Sequence, residues 1–293
     1  MRKILTNMVL AAALAVPMTA QAGPIIIGGD DLNDHGSWNG TANLAGWLYI
    51  QNALANLLSQ VTLPANDGTI VVLGSAPSVP ASSTPTSSDG CGAVYWPATA
   101  LSRTVTCIDG AAAITTYLTG VASGSNRPAV IVYPGNDVGN AIDSSEETAI
   151  SASASAIATY VANGGGILGH TGPYAWLTTL LPGITILRAC TVTGAALTPT
   201  GQAAFPTITN ADITSGPCHN TFGGNIGSLQ VLARDGNNAQ FILGGGATTV
   251  IAPTPPEPPI TIPTLGFNAL AALIALIVAA AFAGRGRIMR LRN

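Results

Sequence analysis

Four short runs of this chain are apolar from end to end: Ile25-Ile26-Ile27, residues 69–73, residues 128–133 and residues 166–169. A strand with one face in water alternates apolar and polar residues. A run that does not alternate must be covered on both faces, which is the condition of a parallel sheet carrying helices on each side. Between the first two runs, Trp47, Ile50, Leu54, Leu57, Leu58 and Val61 recur at helical spacing and form one stripe. Strand, helix, strand in that order is a βαβ unit, whose crossover is right-handed. Further helices are expected over 111–121 and from a Ser144/Glu147 capping box to Asn163-Gly164-Gly165, with Ile150, Ala154, Ile157 and Val161 on one face. A short helix follows over 176–181, then a fifth strand over 184–187. Residues 229–233 and 240–243, joined by Gly236-Asn237-Asn238, read as a late hairpin. The expectation is an α/β fold with a mainly parallel sheet flanked by helices, of glutamine amidotransferase-like or flavodoxin-like type.

The two ends lie outside that domain. Residues 1–22 read as a secretory signal peptide: Arg2 and Lys3, a short apolar stretch, and the small-x-small site Ala20-Gln21-Ala22. The exported domain spans 23–251, and residues 252–261 form a stiff proline-rich spacer with Pro253, Pro255, Pro256, Pro258 and Pro259. Residues 265–283 carry no charge, and as a helix they would cover roughly 28 Å, near the ~30 Å bilayer core. Arg285, Arg287, Arg290 and Arg292 follow with no acid among them. By the positive-inside rule they put the C-terminus in the cytoplasm.

The tetrapeptide Ile262-Pro263-Thr264-Leu265, the single apolar span and the arginine-rich end stand in the order of a known signal. The segment 262–293 resembles the IPTL-CTERM protein-sorting family, a cousin of PEP-CTERM. The resemblance implies a Gram-negative cell-surface protein cut near the tetrapeptide by an exosortase-type enzyme. Its partners would be that enzyme and membrane lipid; for the exported domain itself the expected ligand is small or carbohydrate-like, or a matrix polymer such as extracellular polysaccharide. Gly266, Phe267 and Asn268 follow where many relatives have Ser-Glu-Trp.

The exported part contains no lysine and four arginines (Arg103, Arg127, Arg188, Arg234) against all thirteen acids, a balance of −9. Such a surface repels nucleic acid. Cys91, Cys107, Cys190 and Cys218 all lie there, and an even count in an oxidising compartment reads as disulfides. Three pairings are open. Cys91 with Cys107 and Cys190 with Cys218 are the closest in sequence.

Ligands of open α/β sheets sit beyond the carboxyl ends of the strands. The polar loops expected there hold Asp30, Asp31, Asp34 and His35 after the first strand, Asp137 after the third, and His170 and Thr171 after the fourth. Asp30, Asp31, Asp34, Asp137, His170 and Thr171 are therefore the candidate ligand-binding residues. His170, His35 and Asp31 are the candidates for acid–base work. The acidic loop fails the calcium-loop pattern, since His35 takes a ligand place and no glutamate closes it. No phosphate loop, nucleophile elbow or zinc-protease helix occurs, so neither a cofactor nor a metal is assigned.

Residues 160–170, with a helix end, Gly164-Gly165-Gly166, a strand and Gly169-His170, are similar to one strand of the class I glutamine amidotransferase-like superfamily, nearest its trehalose-utilisation (ThuA-like) branch. Residues 210–216 resemble a later segment of that branch. In the amidotransferases a cysteine stands on the turn after that strand, and here the turn holds His170 and Thr171, so thiolate chemistry on a glutamine amide is excluded. The functional expectation is a non-catalytic surface binding domain. The alternatives are a surface hydrolase or carbohydrate-modifying enzyme using His170 and the 30–35 loop, and a structural envelope protein.

Overall fold

A computed structural model of the chain describes residues 22–76, 90–135 and 142–247. These belong to the first of two contact units, Met1–Ala252. Nearly all of the segment 1–22 expected to be a signal peptide, Asp137, the proline-rich segment 252–261, Ile262, Pro263, Thr264 and Leu265, the apolar run and Arg285 and Arg287 lie outside the described residues. Among the described residues no helix is long and apolar enough to cross a membrane.

The chain runs through β1 (Pro24–Gly28), β2 (Gly36–Trp38), β3 (Asn43–Ala45), α1 (Gly46–Gln60), β4 (Ile70–Leu73), α2 (Gly90–Ala100), β5 (Val105–Ile108), α3 (Ala111–Ser123), β6 (Val130–Tyr133), α4 (Ser144–Ala152), α5 (Ala154–Ala162) and β7 (Gly166–Gly169). It continues through α6 (Leu177–Leu180), β8 (Ile184–Leu187), β9 (Ala196–Leu197), α7 (Pro199–Ala204), α8 (Asn210–Ile213), β10 (Thr221–Gly224), β11 (Gln230–Arg234) and β12 (Gln240–Ala247). The main sheet has the order β5-β4-β6-β7-β1-β12-β10-β8, with β11 and β9 branching from β12. From β5 to β1 every pairing is parallel. From β1 outward every pairing is antiparallel. The fold is thus mixed α/β, with a parallel central sheet flanked by helices and an antiparallel wing.

The apolar runs are continuous because both faces of the parallel strands are covered. Ile26, Ile70, Val72, Val130, Val132 and Leu168 pack with α1 and α2 residues such as Ile50, Leu54 and Val94. Their neighbours Ile25, Ile27, Val71, Leu73, Ile131 and Ile167 pack with Ile114, Leu118, Ile150 and Ile157 of α3, α4 and α5. Alternate side chains of one strand point to opposite faces, so each run feeds two cores.

The strand expected at 184–187 is present, at the sheet edge and antiparallel to β10. Three expectations are corrected. The first strand lies beside β7, with β6 and β7 between it and β4, so the order differs from the flavodoxin-type 2-1-3-4-5. The capping box is built one residue earlier. Asp143 accepts from the backbone of Ser145 and Glu146, while Glu146 accepts from the backbone of Asp143. The helix that it starts breaks at Ser153 into α4 and α5. One helix had no sequence signal: α2 carries Cys91, Tyr95 and Trp96, and its apolar residues show no helical stripe.

Candidate functional site

Helices leave β1 and β7 on opposite faces of the sheet. α1 after β1 packs in one core, and Leu177 and Leu180 of α6 after β7 pack in the other. The carboxyl ends of these two strands thus form the topological switch point of the parallel sheet, the place where α/β proteins hold their ligands. Asp30 follows β1 there and His170 follows β7.

Glycines allow the chain to close on this point. A side chain at Gly28 would put its Cβ 1.5 Å from Asp30 Oδ2, and one at Gly29 would lie 1.8 Å from the Asn220 carbonyl. With both free of side chains, the Gly29 carbonyl accepts from the backbone of His219 at 2.7 Å, and the Asp30 carbonyl accepts from Thr171 at 2.9 Å. The loops after β1 and β7 and the segment before β10 are thereby tied together. The disulfide Cys190–Cys218 holds that last segment, with Cα atoms 5.5 Å apart. Cys91–Cys107 forms the other bridge, and no cysteine is free. Of the three pairings, the structure selects the two nearest in sequence.

His170 Nδ1 lies 2.7 Å from Asp30 Oδ1, and neither residue has any exposed surface. The same carboxylate oxygen accepts from the Leu32 backbone at 3.3 Å, so it is an acceptor and Nδ1 carries the shared hydrogen. His170 Nε2 and Asp30 Oδ2 have no hydrogen-bond partner, nor does the hydroxyl of Tyr49, whose ring stands edge-on to the imidazole at 6.1 Å. Burial raises the Tyr49 phenol well above its ordinary pKa, and the nearby Asp30 charge raises it further. Tyr174 is raised by burial and then by Asp30, Tyr133 and Tyr49, and it donates to the Gly28 carbonyl at 2.6 Å. These phenols stay protonated and cannot serve as phenolates. Thr171 donates its hydroxyl to Asn220 Oδ1 at 2.7 Å.

The remaining candidates separate into a second, shallower group. Asp31 Oδ2 stands 3.4 Å from His219 Nε2 and 3.7 Å from His35 Nε2, nearer the surface. Asp34 is half-buried beside them, and Asn33 turns away to donate to the Pro134 carbonyl at 3.1 Å. The acidic loop thus spends its oxygens in different directions. Among the described residues no cluster of three or more His, Cys, Asp or Glu could hold a metal ion. All three histidines of the chain meet the adjacent pair Asp30 and Asp31.

Sequence reasoning paired His170 with the right loop but missed Tyr49, Asn220 and the contact of His219 with Asp31. Tyr49 sits on a helix whose apolar stripe was readable, yet Tyr49 lies off that stripe and is buried as well. Nothing local marks Asn220. In comparisons with protein-family models, with curated proteins and with solved structures, nothing matches this chain.

Proposed function

We propose that this is an exported envelope protein, held or sorted by its segment 262–293, whose α/β domain binds a ligand at the cell surface without transforming it. The observation that carries the non-catalytic reading is the sealing of His170 and Asp30, both without exposed surface. A general base must reach the proton it removes. Here the imidazole is walled in by its own fold, and the neighbouring phenols are held protonated by burial. Two disulfides in the domain support an oxidising compartment. The uncharged stretch 265–283 and the arginines after it support a membrane-inserted tail of IPTL-CTERM type. The amidotransferase-like strand stays part of the proposal as a likeness of fold, with His170 in place of the thiol.

A second reading, the hydrolase or sugar-modifying enzyme, draws on one observation. The His170–Asp30 pair has the geometry of a base with its orienting carboxylate, and its outer nitrogen is uncommitted.

The export and sorting part is tested by fusing a periplasm-dependent reporter after Val250 or after Asn293, and by measuring the mature C-terminal mass. Activity only at the first site, with a mass ending near Ile262 in a host that carries the sorting enzyme, is expected. Activity at both sites would refute the orientation. Loss of the cut on replacing Pro263 and Thr264 with alanine, with insertion intact, separates a sorting signal from a plain anchor.

A further inference from the structure

The chain has four tryptophans. Trp47 and Trp176 are buried, each 1% exposed. The other two, Trp38 at the end of β2 and Trp96 in α2, are partly exposed and stack on each other with centroids 5.0 Å apart and planes 3° from parallel. Tyr95 packs edge-on against Trp96 at 5.0 Å and is also partly exposed. Among the described residues the only other aromatic side chain that reaches solvent is Tyr117, so three of the four form one cluster.

The elements that carry this cluster are rigid and uncharged. Residues 36–45 and 90–100 contain no Asp, Glu, Lys or Arg. The tip of the β2–β3 hairpin is fixed by Asn39, whose side-chain oxygen accepts from Thr41 N, Thr41 Oγ1 and Ala42 N at 2.8–3.0 Å. Helix α2 is stapled to β5 by Cys91–Cys107, one turn before Tyr95. Asn43 faces Trp38 across the hairpin, so their side chains share a face. Asn43 is buried beneath that face, where its amide donates to Gln51 at 2.7 Å and fixes the hairpin to α1.

We propose that Trp38, Tyr95 and Trp96 form a binding platform for a neutral polysaccharide. This deepens and rests on the surface-binding reading above. Flat aromatic rings match the apolar C–H faces of pyranose rings. The absence of charge on both elements fits a polyol. It gives nothing to pair with a polyanion, and the domain's net negative charge repels one. Aromatic anchors on stapled elements lose little conformational freedom on binding, which favours affinity from a small contact.

The test uses the purified full chain in affinity electrophoresis through gels containing hydroxyethylcellulose, a neutral pyranose polymer, or alginate, an anionic one. Wild type is expected to be retarded by the neutral polymer alone. Trp38→Ala and Trp96→Ala should each weaken the interaction about tenfold or more, the scale of losing one aromatic anchor. Trp38→Phe and Trp96→Phe should retain part of it. Should the alanine variants fail to fold, oxidation of folded wild type by N-bromosuccinimide gives the same answer. Two tryptophans should react, and the neutral polymer should protect them. Wild type retarded by alginate alone or by neither polymer, alanine variants that bind like wild type, or oxidation that the polymer does not slow would each overturn the platform. Release of reducing ends from the polymer would instead overturn the non-catalytic reading and leave the platform standing.

Discussion

Replacing Asp30 with alanine separates a structural His–Asp pair from a catalytic one. The substitution removes the acceptor of two buried donors, His170 Nδ1 at 2.7 Å and the Leu32 backbone at 3.3 Å. An orphaned buried donor costs ~1–3 kcal/mol, and breaking a buried pair costs ~3–5 kcal/mol. The expected loss is therefore ~3–5 kcal/mol. In a domain of this size, one kcal/mol shifts the midpoint by ~2–4 °C, so Asp30→Ala should lower it by ~6–20 °C. Asp30→Asn keeps an oxygen in the same place for both donors and should cost only ~1–2 kcal/mol. Thermal unfolding of the purified protein with its disulfides intact, followed by circular dichroism, gives both numbers. A midpoint for Asp30→Ala within ~2 °C of wild type would refute the structural account. It would mean that the carboxylate is kept for chemistry rather than for the fold.

The carboxyl of Glu147 is raised above its ordinary value near 4.5, chiefly by burial, and it accepts the Tyr133 hydroxyl. The folded state then holds its proton more tightly than the unfolded chain, so stability is full below ~4.5 and declines as pH rises through the raised value. Glu147→Gln should flatten that decline in urea titrations across this window, and an unchanged slope would contradict it. Asp143 has the opposite sign. Backbone and side-chain hydrogen bonds from Glu146 and Ser145 hold its pKa below the ordinary 3.8, so its contribution is present above that value and lost as pH falls through the lowered one. The bridges close loops of sequence separation 16 and 28. Paired serine substitutions should cost ~3 and ~3.5 kcal/mol respectively in denaturant unfolding. Equal stability of the oxidised wild type and either double variant would show that the bridge adds nothing.

Much of the scaffold was legible in the sequence because its signals are local. A strand covered on both faces cannot alternate, so β1, β4, β6 and β7 announced themselves as unbroken apolar runs. The stripe of α1 followed from a 3.6-residue period. Cysteines in even number spoke for disulfides, and the tail's apolar length and flanking arginines defined the reading of residues 262–293 without any tertiary information. What failed locally failed for a reason. The direction of strand β8 could not be read locally because it is set by the partner's hydrogen-bonding edge, here β10, and not by its own composition. Helix α2 lacks a stripe because it is buried over most of its first half and carries the Cys91 bridge, so periodicity gives no cue.

The sites themselves were decided by tertiary structure. Asp30 and His170 are 140 residues apart and meet only because β1 pairs with β7 and two glycines let the loops close. Sequence named both residues from their places after strands, but it could not say that their contact is sealed. Burial depends on what packs above a loop, and that information lies in Tyr49, Asn220 and the Cys190–Cys218 staple. Trp38 and Trp96 carry no motif and sit on a short hairpin and an unforeseen helix. Their stacking arises only when the hairpin and α2 are brought together. A chain encodes which faces must be buried through short-range periodicity, whereas the convergence of distant side chains depends on strand order, and strand order is a property of the whole sheet.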